Sequence, residues 1–177
     1  LSSVFGFPDL DEGLIIQWSK SMSEGQKLYQ DLPVVYGPIF FEINTWIFKN
    51  FGFLHFTSRL SALALGFLTF TFMTLSVREL TKRSFYLSSL GPLVWLFSSS
   101  ARFSESLHPG WYIALILSII SYLLVKPNRN YVLIAALIVL LMGFKPHIGV
   151  LTFLGVFQAL LLESSRNKLL KTITTFL

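Results

Sequence analysis

The sequence predicts an all-α integral membrane protein, with about five transmembrane helices and two interfacial amphipathic helices in a long outer loop. Three observations lead there. Of the 177 residues, 53% are hydrophobic and 13% charged, where a soluble domain carries about 25% charged residues. The apolar residues gather into long runs after residue 54. The basic residues sit in alternate connections between those runs, as cytoplasmic loops should. So much apolar surface cannot be hidden in so small a globule, which makes lipid the expected solvent. The formal charge of +5 is scattered among apolar runs, so it reads as a topology signal and nucleic acid is not an expected partner. With no cysteine in the chain, disulfide and thiolate chemistry are excluded.

Residues 1–53 differ from the rest and are read as the outer, periplasmic or extracellular, loop. They hold Asp9, Asp11, Glu12, Glu24, Asp31 and Glu42, most of the 9 acidic residues. Leu14, Ile15, Trp18 and Met22 recur at helical spacing and predict a short amphipathic helix. Pro33, Gly37 and Pro38 interrupt any helix over Lys27–Gly37, so that stretch reads as loop. Pro38–Lys49 predicts a second amphipathic helix, with Ile39, Phe40, Ile43, Trp46 and Ile47 on one side. Helices this rich in Trp and Phe are expected in the membrane interface.

Residues 54–177 are read as the membrane region. Phe56–Val77 is long enough to cross a hydrocarbon core of roughly 30 Å. Phe85–Ser100 is shorter and interrupted by Gly91-Pro92; Trp111–Val125, Tyr131–Phe144 and Ile148–Leu162 complete the set. Short spans are tolerated where neighbouring protein or a water-filled cavity covers their ends. The connections after the first, third and fifth spans carry Arg78, Lys82 and Arg83, then Lys126 and Arg129, then Arg166, Lys168 and Lys171. A hairpin over residues 131–162 explains that pattern better than the alternative of one helix kinked at Pro146, which would bury Lys145 in mid-membrane. The chain starts at Leu1 and ends at Phe176-Leu177 as another apolar segment begins, so it is expected to be a piece of a longer protein, one truncated domain. With no N-x-Ser/Thr acceptor, a prokaryotic plasma (inner) membrane is the expected location.

Counting crossings puts six ionisable residues on the outer face: Asp11 and Glu12, Arg102, Glu105 and His108, and Lys145. Such groups at membrane helix ends are costly unless they act. Asp9 reads equally well as a helix N-cap. One carboxylate suffices for a cap, so the Asp11-Glu12 pair points further, either to a general base or to ligands for a divalent cation such as Mg or Mn. Arg102 and Glu105 are spaced for an ion pair on one helix face, and His108-Pro109-Gly110 is a turn presenting an imidazole at the mouth of the next span. Arg102, His108 and Lys145, with His147 nearby, suit a phosphate. Arg59, in the first turn of the first span, reads as an interface anchor.

Asp11-Glu12-Gly13, then Glu24 to Asp31 (EGQKLYQD), then Tyr36-Gly37-Pro38 resemble the first outer loop of GT-C class membrane glycosyltransferases, nearest to the branch of protein O-mannosyltransferases and aminoarabinose transferases. Ser58-Arg59-Leu60-Ser61-Ala62 looks like the start of that family's second span. Arg102-Phe-Ser-Glu105 and Phe144-Lys145-Pro146 are similar to its later outer motifs. The resemblance implies transfer of a sugar from a polyprenyl-phosphate carrier to a lipid, glycan or protein acceptor, usually with inversion. It implies Asp11, with Glu12 beside it, near the acceptor, and Arg102, His108 and Lys145 on the departing lipid phosphate. The family's first span and its C-terminal soluble domain have no counterpart here, so the piece alone is expected to be inactive. Two other readings stand beside it: a transporter or flippase with a charged path, and a non-catalytic membrane scaffold.

Overall fold

The computed structural model describes residues 10–34, 36–98 and 107–176, with side chains over 12–34, 36–96 and 107–163. It is all-helical among these residues. The helices are α1 (Leu10–Ser23), α2 (Pro38–Phe51), α3 (His55–Thr81), α4 (Phe85–Ser98), α5 (Pro109–Val125), α6 (Tyr131–Phe144) and α7 (Pro146–Phe176). Proline begins α2, α5 and α7, where its missing N–H has no intrahelical partner to lose. Gly52 ends α2 at φ 95°, a left-handed conformation that glycine adopts at no steric cost. Asn130 caps α6 by accepting from the Leu133 N–H at 3.0 Å.

Helix α3 lies centrally and packs on both α4 and α5, while α6 joins α5 to α7. Its inner face is a stripe of small residues, including Ser58, Ala62, Gly66 and Thr69. Small side chains let helix backbones approach closely, the usual means of helix association in lipid. Helices α3 and α5 run parallel: the Leu107 N–H donates to Ser58 Oγ at 3.2 Å near their starts, and the Phe72 and Tyr122 rings meet at 5.9 Å farther along. Segment 131–162 forms the expected hairpin. Arg129, just before α6, pairs with Glu163, and a Cβ on Gly149 would fall 2.7 Å from the Met142 backbone nitrogen. The Glu163 hydrogen bond, then that of Tyr131, raises the Arg129 pKa above its ordinary value.

The starts of α3, α5 and α7 and the end of α6 therefore meet at one end of the bundle. Helices α1 and α2 pack on each other and dock there, on α3 and α6. Arg78, Lys82, Arg83, Lys126 and Arg129 lie toward the opposite end.

The buried faces of the two amphipathic helices are rotated from the predicted ones. On α1, Glu12, Ile15 and Ser19 are buried and Leu14 is exposed. On α2, Phe40, Phe41, Asn44 and Phe48 are buried and Trp46 is exposed. The reason is tertiary. The Phe40, Phe41 and Phe48 side chains join one core with Tyr112 and Ile116 of α5 and Leu141 and Phe144 of α6. Burying each contributes about 1.5–3 kcal/mol, so neighbouring helices, not a flat interface, set the rotation. Two boundaries also differ: α4 continues through Gly91-Pro92, and α7 stays helical through Arg166, Lys168 and Lys171.

Two helices, His55–Thr81 and the Pro146–Glu163 part of α7, are long and apolar enough to cross a membrane. Only 28% and 6% of these spans is buried, where the core helix of a soluble protein would be mostly covered. Phe56, Leu60 and Phe67 on α3 and Leu151, Leu154 and Phe157 on α7 face outward, more apolar surface than a soluble monomer normally exposes. Helices α4, α5 and α6 are apolar but have 14, 17 and 14 residues, about 21–26 Å at 1.5 Å per residue.

Candidate functional site

The loop between α1 and α2 builds the first part of the site. Asp31 Oδ2 accepts from the Lys27 N–H at 2.8 Å, and the Asp31 N–H donates to the Lys27 carbonyl at 3.0 Å. This closes a tight turn that holds Tyr29 at φ 64°. The Tyr29 hydroxyl then donates to the Tyr36 carbonyl at 2.7 Å. Partial burial raises the Tyr29 pKa above its ordinary value, so the phenol remains a donor at neutral pH.

Beyond Tyr36 the loop crosses the α6–α7 turn at close quarters. The Gly37 N–H donates to the Phe144 carbonyl at 2.9 Å. A Cβ on Gly37 would overlap the Gly143 carbonyl and stand 2.9 Å from the Phe144 carbonyl oxygen. Backbone meets backbone here, and neither can rotate away as a side chain would. Gly37→Ala is therefore expected to destabilise the protein by about 1–3 kcal/mol, the usual cost of overpacking. Thermal unfolding in detergent would measure it, and an unchanged midpoint would show that the crossing is looser than described.

Tyr36 stands at the centre of the cluster so formed. Its hydroxyl lies 3.3 Å from His108 Nε2, and the two rings meet edge to face at 5.6 Å. His108 Nδ1 accepts from the Gly110 N–H at 3.2 Å as the cap of α5. The neutral ring therefore carries its proton on Nε2, which donates to the Tyr36 hydroxyl. Lys145 occupies the extended link between α6 and α7, and its Nζ lies 5.4 Å from the centroid of the Tyr36 ring. The ammonium is partly buried and has no carboxylate within ion-pair distance among the described residues. Lys145 can hold an anion there as a point charge, and His108 can join it as a directional group by exchanging its 3.3 Å bond to the Tyr36 hydroxyl for one to the anion.

A second polar centre adjoins the first. Glu12, on α1, is 1% exposed. Its Oε2 lies 3.3 Å from Arg59 Nη2 and 3.2 Å from His55 Nδ1. Arg59 is 4% exposed, so it is a buried ion-pair partner and not the interface anchor its position predicted. The cause is α1, whose docking against α3 covers the first turn of α3. Ser58, beside Arg59, accepts from the Leu107 N–H, next to His108. The two centres thus share a wall.

Of the residues predicted for the site, Glu12, His108 and Lys145 come to this end of the bundle. His147 is exposed in the first turn of α7, with no hydrogen bond or ion pair to another side chain among the described residues. Asp11 lies in the first turn of α1, with its side chain outside the described residues, as are Asp9, Arg102 and Glu105. Glu12 is too buried to meet an acceptor directly. With a guanidinium and an imidazole already on its Oε2, it is also a poor ligand for Mg or Mn, whose charge would face that guanidinium. Among the described residues, no three His, Asp or Glu side chains are grouped to hold a metal. Sequence reasoning gave no role to His55 and the wrong one to Arg59. Their spacing of four on α3 was the local signal, but Glu12 lies 47 residues from Arg59.

No family model matches the chain, nor does any curated protein or solved structure.

Proposed function

We propose that the chain is the membrane-embedded, sugar-transferring part of a glycosyltransferase, moving a sugar from a polyprenyl-phosphate carrier to an acceptor on the outer face. In this reading α3 to α7 all cross the bilayer, the short ones covered by their neighbours, in a prokaryotic plasma membrane. The basic connections lie inside and the Tyr36 cluster outside. The observation that carries it is the placement of Lys145 and His108 about Tyr36, at the end of the bundle opposite the basic connections. A lipid phosphate sits at that depth while its polyprenyl chain stays among the apolar helices.

The acceptor hydroxyl or amine attacks the anomeric carbon of the donor, and the bond from that carbon to the phosphate oxygen breaks. The leaving phosphate takes the electron pair. Lys145 and His108 meet the charge that grows on it, with Arg102 added from the segment before α5. Asp11 serves the acceptor side, and Glu12 holds α1 in place through Arg59.

The test uses membranes containing the protein, supplied with a radiolabelled polyprenyl-phosphate sugar pool. Wild type is expected to move label into an acceptor fraction, and Asp11→Asn to do so about 10²-fold more slowly or worse, as loss of a group that orients the acceptor would produce. Wild-type labelling no higher than in membranes lacking the protein would overturn the transferase reading in favour of a flippase or a scaffold.

A further inference from the structure

The Glu12 centre contains a group to which the transfer scheme gives no task. His55 opens α3, and its side chain is 49% exposed, while the Glu12 carboxylate beside it is 0% exposed. The imidazole therefore has one edge against a buried anion and the rest exposed at the end of the bundle where α3 begins. Nδ1 lies 3.2 Å from Glu12 Oε2. A carboxylate oxygen this close repels a lone pair on Nδ1 and favours a proton there, although the contact is an ion-pair distance and not an aligned hydrogen bond. Its Nε2 has no hydrogen-bond partner among the described residues. The second carboxylate oxygen, Glu12 Oε1, is buried and also lacks one. A buried carboxylate with an idle oxygen is costly, and it suits a site where positive charge appears on its neighbour.

We propose that His55, oriented by Glu12, accepts the proton of the attacking acceptor group during transfer. This rests on the transferase reading. As the acceptor oxygen or nitrogen bonds to the anomeric carbon and the phosphate leaves with its electron pair, the acceptor proton passes to the Nε2 lone pair. The imidazolium so formed faces the Glu12 carboxylate and later releases the proton to water. Arg59 shares Oε2 and fixes the carboxylate between the two cations. A carboxylate behind an imidazole, with the far ring nitrogen open, is the arrangement by which hydrolases of unrelated fold activate a hydroxyl. Glu12 acts as the positioning residue and His55 as the catalytic one.

The test combines two measurements on the intact protein in detergent micelles or native membranes. Nitrogen NMR of histidine-labelled protein reads the His55 tautomer, with His55→Gln identifying its signals. The expected neutral form carries its proton on Nδ1 in wild type and shifts toward Nε2 in Glu12→Gln. A wild-type ring protonated on Nε2 overturns the pairing, whatever the transfer assay gives. In the transfer assay, His55→Gln keeps the fold, because the side chain is half exposed, and is expected to lose about 10²–10⁴-fold in rate. Imidazole added to His55→Ala restores part of it. Wild-type rates in folded His55→Gln overturn the proposal while leaving the transferase reading in place. Absence of transfer by wild type defeats that reading instead, with the tautomer still showing whether the pair exists.

Discussion

Replacing Arg59 by alanine is expected to cost the fold about 3–5 kcal/mol, the penalty for leaving one partner of a buried ion pair uncompensated. Glu12 would remain at 1% exposure with only His55 beside it. The loss would fall on the docking of α1 against α3, because the pair ties the two helices across 47 residues of sequence. Chemical unfolding of the purified protein in detergent measures it, and proteolysis of the α1 region should become faster in parallel. Removing both charges tells a different story. Glu12→Leu with Arg59→Leu needs no ion desolvated, so most of the lost stability should return. The double variant should still lack transfer, since His55 then has no carboxylate behind it. A cost below about 1 kcal/mol for Arg59→Ala would place the pair in water, where such contacts are weak.

Lys145→Ala should leave the fold nearly intact and reduce sugar transfer about 10²–10³-fold, the usual loss for one group that meets developing charge. The structural cost is small because the ammonium lies over the Tyr36 ring without an ion pair, an attraction of about 0.5–1 kcal/mol at a partly exposed position. The catalytic cost is large because the charge on the leaving phosphate rises along the reaction and His108 and Arg102 alone meet it only in part. Lys145→Arg should recover only part of the rate. It keeps the charge but replaces a compact point donor with a planar fork that the space above Tyr36 was not shaped to hold. The rates would be measured at matched expression with the same labelled donor pool. Wild-type transfer by Lys145→Ala would remove the phosphate role from this end of the bundle.

Much of the fold was legible because its signals are local. Apolar run length marked α3 and Pro38 marked the start of α2, while the spans expected from Trp111 and Ile148 begin instead at Pro109 and Pro146. The hairpin at Lys145-Pro146 followed from the basic residues, since only a reversal there puts Arg129 and the far end of α7 on one side. Helix rotation was less legible. The face predicted for α2 ran through Ile39, Phe40, Ile43, Trp46 and Ile47, and the observed one keeps Phe40 but turns toward Phe41, Asn44 and Phe48. The choice between them belongs to Tyr112 and Phe144, whose rings stack at 5.1 Å beside the second face. Within the site, His108 and Lys145 stood out because an ionisable residue between apolar helices is conspicuous. Tyr36 was noticed only within the Tyr36-Gly37-Pro38 stretch, since nothing local distinguishes a tyrosine that joins an imidazole and an ammonium from one that lines a loop.

Sequence alone determined the helical class, the one span (α3) long enough to cross a membrane, and the gathering of polar residues at alternate helix ends. Each depends on hydropathy and spacing along a single stretch, and those are properties of the chain before it folds. Only the tertiary structure decided that Glu12 is buried, that Arg59 and His55 share its carboxylate, and that Lys145 and His108 meet about Tyr36. Those facts depend on how α1 and α2 dock on the ends of other helices, and a contact between residues 47 or 72 positions apart leaves no periodicity in the sequence.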